Sequence, residues 1–233
     1  MMICSSCIGS DRKYLYGHAK MMRSFEANGY DGGFRIYTTE PEGCPPHPAC
    51  RRQVQGTVPY AFKPFGMTEQ SCRYVGWMDA IATLIQPFSK IMEHVDRCGY
   101  YISNTYSKTG EYTGDRCLEY FGVTRAEVFD LIEVWSGAIF LDLEKAICRE
   151  FLMLWKKAAI DGAFCGDWIN TNGSVSPDPA VKGHRHDQSA ATLIARSLGM
   201  TDLQSKGAYY RHYSSGNEND YMFRLLEPEE CIE

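Results

Sequence analysis

The chain has 233 residues, 44% of them hydrophobic and 23% charged, an ordinary globular composition with enough length to bury one large core. A formal charge of −5 gives no overall attraction to nucleic acid or an anionic membrane, so polyanion binding is not the default. No stretch approaches the roughly 18 uninterrupted apolar residues of a membrane span, and no basic region precedes an apolar signal core, which points to a cytosolic protein.

In chain order, Met2 to Ile8 reads as a strand, the turn Gly9-Ser10-Asp11 follows, and Lys13 to Ala27 forms a helix stopped by Asn28-Gly29. Phe34 to Thr38 is a second strand, and the proline-rich segment Pro41 to Pro48 is a loop. Tyr74 to Asp79 is a third strand. After Pro87, residues Phe88, Ile91, Met92 and Val95 follow helical spacing until Gly99.

Gly99 to Ser103 is a further strand, and Asn104 to Gly114 is polar enough to be a long active-site loop. Thr124 and Glu127 form a capping box for a short helix. Trp135 to Leu141 is a strand, and Leu143 to Ile160 a long amphipathic helix. Asp167 to Gly183, rich in Asn, Ser, Gly and Pro, reads as a flap, and Gln188 to Leu198 is helical. Alternating strands and helices predict one α/β domain over residues 1–233. The ten cysteines lack the framework of a small secreted fold and read as reduced thiols; Cys4-x-x-Cys7 has no convincing second pair for zinc.

Three features carry chemistry. Asp79 closes a hydrophobic strand, where open α/β sheets gather their ligands. His184-Arg185-His186-Asp187-Gln188 packs five polar side chains before a helix, where Asp187 either caps the helix or serves a site. His212 stands among Tyr209, Tyr210, Arg211 and Tyr213. His18 and His94 sit on amphipathic helices and are assigned no role. Ser136-Gly137 opens a strand where glycine admits either a ligand or a bulge.

The ordered set Cys4-Ser5-Ser6-Cys7-Ile8-Gly9, Pro59-Tyr60-Ala61-Phe62-Lys63-Pro64, Trp77-Met78-Asp79-Ala80, Ser136-Gly137-Ala138-Ile139-Phe140 and His184-Arg185-His186-Asp187-Gln188-Ser189 resembles small stand-alone GT-A-type glycosyltransferases of viruses and bacteria. The resemblance covers most of residues 1–200. It implies a GT-A-like (Rossmann-like) α/β fold with a mixed sheet flanked by helices, and transfer of a sugar from a nucleotide-diphosphate donor, a UDP-sugar by expectation, to a hydroxyl. It assigns the donor to Ser5, Ser6, Ile8, Gly9, Lys63, Arg185, Ser136 and Gly137, and the chemistry to Asp187, Gln188 and Asp79.

The family's Asp-x-Asp reads Asp79-Ala80-Ile81 here, so one metal-holding carboxylate is missing. A Mn²⁺ or Mg²⁺ ion would then depend on Asp79 with His184 or His212, a mixed donor set that suits Mn²⁺ better than Ca²⁺. The acceptor is open among glycans, proteins, small molecules and hydroxymethylated DNA. The last requires a basic groove including Arg51, Arg52 and Lys108. A non-catalytic nucleotide- or carbohydrate-binding module is the competing class.

Overall fold

The computed structural model describes residues 1–6, 12–45, 58–201, 203 and 221–226. Its centre is a five-stranded sheet of β1 (Met2–Ser6), β2 (Gly33–Tyr37), β3 (Tyr74–Met78), β5 (Tyr100–Lys108) and β6 (Ile132–Asp142), in the order β2-β1-β3-β6-β5. β1 runs parallel to β2 and β3, and β6 runs antiparallel to both β3 and β5. A short ribbon of β4 (Ala82–Leu84) and β7 (Phe223–Leu225) lies apart from that sheet.

Helices cover both faces because the strands are apolar on both. On one side α1 (Arg12–Ala27), α3 (Ser89–Cys98) and the ribbon close over Ile3, Met78, Ala138 and Phe140. On the other, α2 (Phe62–Thr68), α5 (Asp115–Phe121), α7 (Ala146–Ile160) and α8 (Asp187–Ser197) bury Val75, Trp77, Ile139 and Leu141. Local chemistry ends the helices where expected: Gly99 caps α3 at φ 93°, a left-handed conformation that glycine adopts without a Cβ penalty. Thr124 and Glu127 make both bonds of the capping box that opens α6 (Arg125–Val128).

The expected loop from Asn104 to Gly114 is ordered instead. Residues to Lys108 extend β5, and Thr109–Tyr112 form the short helix α4. The pairing of β5 with β6 supplies the reason, since Lys108 sits opposite Ile132 and Thr109 N donates to Leu131 O. β6 is also irregular: the interval from Val134 to Ile139 faces only that from Asn104 to Ile102 on β5. Across this bulge the inward alternation reverses, so that Val134 shares a core with Ile139 while Trp135 joins Ala138 and Phe140 on the opposite face. Ser136 and Gly137 lie within it. None of the seven described cysteines forms a disulfide.

Candidate active site

The sheet topology builds the site. Because β6 runs against β3, its N-terminal half lies beside the carboxyl end of β3, where Asp79 N donates to Gly137 O at 2.8 Å. Asp79 follows Met78 directly, and its Oδ1 accepts a 2.8 Å hydrogen bond from Trp77 Nε1, which fixes the carboxylate against the sheet end. α1 can lie across the next residue because Gly17 has no side chain: a Cβ there would stand 2.4 Å from Ala80 O.

Lys63, on the first turn of α2, is buried at 2% exposure and reaches the same point. Its Nζ lies 3.1 Å from Asp79 Oδ1, 3.1 Å from Asp187 Oδ2 and 3.3 Å from Ser136 O. Burial alone would pull this ammonium down, yet Asp187 and then Asp79 outweigh it and hold the charge in place. For Asp187 burial dominates, and its carboxyl is pushed up against the opposing pull of Lys63. Asp187 Oδ2 faces the Lys63 ammonium at 3.1 Å, an ion pair that leaves the oxygen a second lone pair for a ligand.

Two strained residues flank this trio. His186, at the N-cap of α8, has φ 48° and ψ −114°, and Tyr60, just ahead of α2, has φ 59°. Neither is glycine, so each conformation costs free energy that the surroundings must offset. Their rings lie 5.5 Å apart, and Trp168 stacks on His186 at 5.6 Å. The His186 ring is anchored by Nδ1 at 2.8 Å from Phe164 O. Arg185 spreads its guanidinium over Trp168 at 4.0 Å and over Tyr112 at 4.5 Å.

Of the residues expected from the sequence, Asp79, Lys63, Ser136 and Asp187 come together. Asp187 occupies the first helical position of α8 and does not cap it. Gln188 is turned toward Glu133 and donates from Nε2 to Oε2 at 3.0 Å. Ser5 and Ser6 are the last two residues of β1, and Ser5 Oγ shares a 2.8 Å contact with His18 Nε2. Ile8, Gly9 and His212 lie outside the described residues, as do Cys7, Arg51 and Arg52.

Several expected roles change. His184 is fully buried, and both ring nitrogens are engaged by the backbone: Gly114 N donates to Nδ1, and Nε2 lies 3.1 Å from Ala163 O. It is a packing residue here and has no lone pair for a metal. Gly137 makes room for Trp135, whose indole would lie 2.3 Å from a Cβ at that position. Lys63 organises two acids inside the protein, so its charge is not displayed to a diphosphate. Lys108 pairs with Asp130 at 2.6 Å on the surface and offers no uncommitted charge to a DNA groove.

Sequence reasoning missed Glu133, Tyr60 as a site wall, and His18. Glu133 carried no signal beyond being an acid inside an apolar strand, which is itself unusual enough to have been noticed. His18 was assigned no role because it sits on an amphipathic helix, and its partner Ser5 lies thirteen residues earlier, on β1.

A divalent ion of the kind the resemblance implies does not fit the described donors. Asp79 is engaged by Trp77 and Lys63, Ile81 stands where the second acid would be, and among the described residues no three His, Cys, Asp or Glu side chains gather to hold a metal.

No protein-family model matches the chain, and no curated protein matches it in sequence. Among solved structures it is similar to a glycosyltransferase involved in glycosylation of the major capsid of PBCV-1, at 10% identity and a TM-score of 0.54 over 99% of this chain and 95% of that one. It aligns less well with the galactosyltransferase LgtC bound to donor and acceptor sugar analogues (12% identity, TM-score 0.47, 97% and 87% covered). Mouse xyloside xylosyltransferase 1 is comparable (9% identity, TM-score 0.48, 91% and 88% covered). The fold is therefore GT-A-like, a mixed sheet flanked by helices, as the sequence resemblance implied.

Proposed function

We propose that the chain is a glycosyltransferase that moves a sugar from a nucleotide-diphosphate donor to an acceptor hydroxyl, with Asp187 as the residue that receives or orients that hydroxyl. One observation carries the reading: Asp79 from the end of β3 and Asp187 from the start of α8, more than a hundred residues apart, converge on one buried ammonium at the carboxyl edge of the sheet. Ligands of open α/β sheets bind at that edge.

The residues divide the work. Lys63 neutralises one of the two acids, so both can be held near each other without mutual repulsion. Asp187 Oδ2, ion-paired to Lys63, keeps a second lone pair to accept from a sugar or acceptor hydroxyl, and its upward-shifted carboxyl is a stronger base than an ordinary aspartate. Arg185, stacked over two rings two residues before Asp187, supplies positive charge where negative charge develops on the departing diphosphate. A UDP donor and a cytosolic location are part of the proposal, which defines the acceptor by its hydroxyl alone. The GT-A-like fold and the trio's geometry support sugar transfer in general.

Incubation with a panel of nucleotide sugars, with and without Mn²⁺, tests it by release of free nucleotide. Turnover with at least one donor is expected. Tight donor binding without turnover would replace the enzyme by a binding module, and failure to bind any donor would end the reading.

A further inference from the structure

Glu133 is the most deeply buried acid near the site that the proposed reaction does not use. It lies on β6 at 0% exposure, just before the bulge, under the first turn of α8. Its Oε2 accepts from Gln188 Nε2 at 3.0 Å, and its Oε1 lies 3.2 Å from Ser189 Oγ. No cation pairs with it within salt-bridge distance among the described residues.

The hydroxyl of Ser189 decides the protonation state. That hydroxyl has one proton and two oxygen neighbours, Tyr112 O at 2.8 Å and Glu133 Oε1 at 3.2 Å. The carbonyl can only accept, and two oxygens 2.8 Å apart without a proton between them repel, so the proton lies toward Tyr112. With its own proton there, Ser189 Oγ is free to accept, and a proton on Oε1 completes a chain of donation from Glu133 through Ser189 to Tyr112.

We propose that Glu133 is held as an uncharged carboxylic acid that donates to Ser189 and accepts from Gln188, and that in this form it positions the Gln188 side chain at the start of α8. The inference rests on the transferase reading for its catalytic consequence, though not for the state of the acid. With Nε2 bound to Glu133, Gln188 has its carbonyl oxygen and one N–H left for a ligand beside Asp187.

The surroundings agree. Burial pushes the Glu133 carboxyl up to about 8, against the opposing influence of Gln188, Arg185 and Ser189. The groups that face it are Arg185 from the segment before α8, Asp187, Gln188 and Ser189 from α8, the Tyr112 carbonyl from α4, and the Cys117 thiol from α5. Burial and Glu133 together push that thiol up. Ionising Glu133 would place a second negative charge near Asp187 and leave the Ser189 contact without a proton.

Two variants separate the alternatives. Glu133→Gln reproduces the acid's pattern, one acceptor and one donor, without a titrating group. It should keep turnover within about twofold of wild type at neutral pH and lack the alkaline fall near pH 8 that is expected of wild type. Glu133→Ala lets the Gln188 amide rotate and should lower kcat by roughly a hundredfold with a smaller change in donor KM. Carboxyl ¹³C titration of glutamate-labelled protein, assigned by the loss of one signal in Glu133→Gln, needs no activity. A carboxyl that titrates near 8 supports the uncharged acid even if no nucleotide sugar turns over, and that second outcome would count against the transferase reading alone. A carboxyl that titrates in the ordinary glutamate range, or a Glu133→Gln enzyme as slow as Glu133→Ala, overturns the proposal.

Discussion

Replacing Lys63 by Met tests the centre of the site without any substrate. The ammonium sits 3.1 Å from each of two carboxylates, and two unit charges at that distance attract by about 5 kcal/mol at an effective dielectric constant near 20. Asp79 is one-third exposed at its side chain, so water screens that half of the pair, whereas Asp187 is shielded. Met fills the same volume and spares the cost of burying an ammonium. What remains is an uncompensated carboxylate at Asp187, and removal of one partner of a buried pair costs about 3–5 kcal/mol. The Lys63→Met protein is therefore expected to lose about that much unfolding free energy in urea at pH 7, with an unchanged denaturant slope.

The pH dependence has a definite sign. Burial already raises the Asp187 carboxyl, and loss of Lys63 raises it further. A carboxyl raised in the folded state stabilises that state fully below the unfolded value and progressively less as pH climbs to the folded one. The deficit of Lys63→Met should shrink in acid and be largest in alkali. Adding Asp187→Asn removes the stranded charge and should restore about 2 kcal/mol. A single variant that loses less than about 1 kcal/mol, or a double variant no more stable than the single, would show that the trio is not electrostatically coupled.

Asp187→Asn by itself should reduce kcat by about 10²–10⁴-fold with little loss of donor affinity, measured by initial rates and nucleotide binding. Equal losses in both would refute its place in the chemical step. Gly137→Ala forces a methyl into the Trp135 indole and should destabilise by about 1–3 kcal/mol in thermal or urea unfolding, with indole fluorescence reporting the displacement. Wild-type stability should decline by about 1.4 kcal/mol per pH unit relative to Glu133→Gln between the ordinary glutamate value of 4.5 and about 8, because the folded acid keeps a proton that the unfolded chain releases. Parallel stability profiles for the two proteins would contradict that account.

Much of the fold was legible because its signals are local. Helical spacing in Ser89–Cys98 and Ala146–Ile160, the glycine after α3 and the capping box at Thr124 each depend on residues within a few positions of one another. The strands Gly33–Tyr37, Tyr74–Met78 and Ile132–Asp142 were visible as apolar runs, with ends uncertain by a few residues. Asn104 to Gly114 misled because its polarity is that of a loop, while its conformation is set by pairing with β6, which no local pattern announces.

For the site, chain order alone marked Asp79, Ser136 and the Asp187-Gln188 pair, since a carboxylate after an apolar strand and a polar cluster before a helix are visible in one dimension, while Lys63 entered only through the resemblance. What each of them does was decided in three dimensions. Lys63 is a buried counter-ion because α2 packs over β3 while α8 packs over the neighbouring β6, and His184 lost its place as a metal ligand because two backbone groups claim its ring. Gly137 serves Trp135 because β6 bulges there. Protonation of Glu133 depends on where a distant carbonyl and a serine hydroxyl fall. Residue type sets which charges and hydrogen bonds are available, but packing sets their distances and removes the water, and electrostatic free energies turn on both.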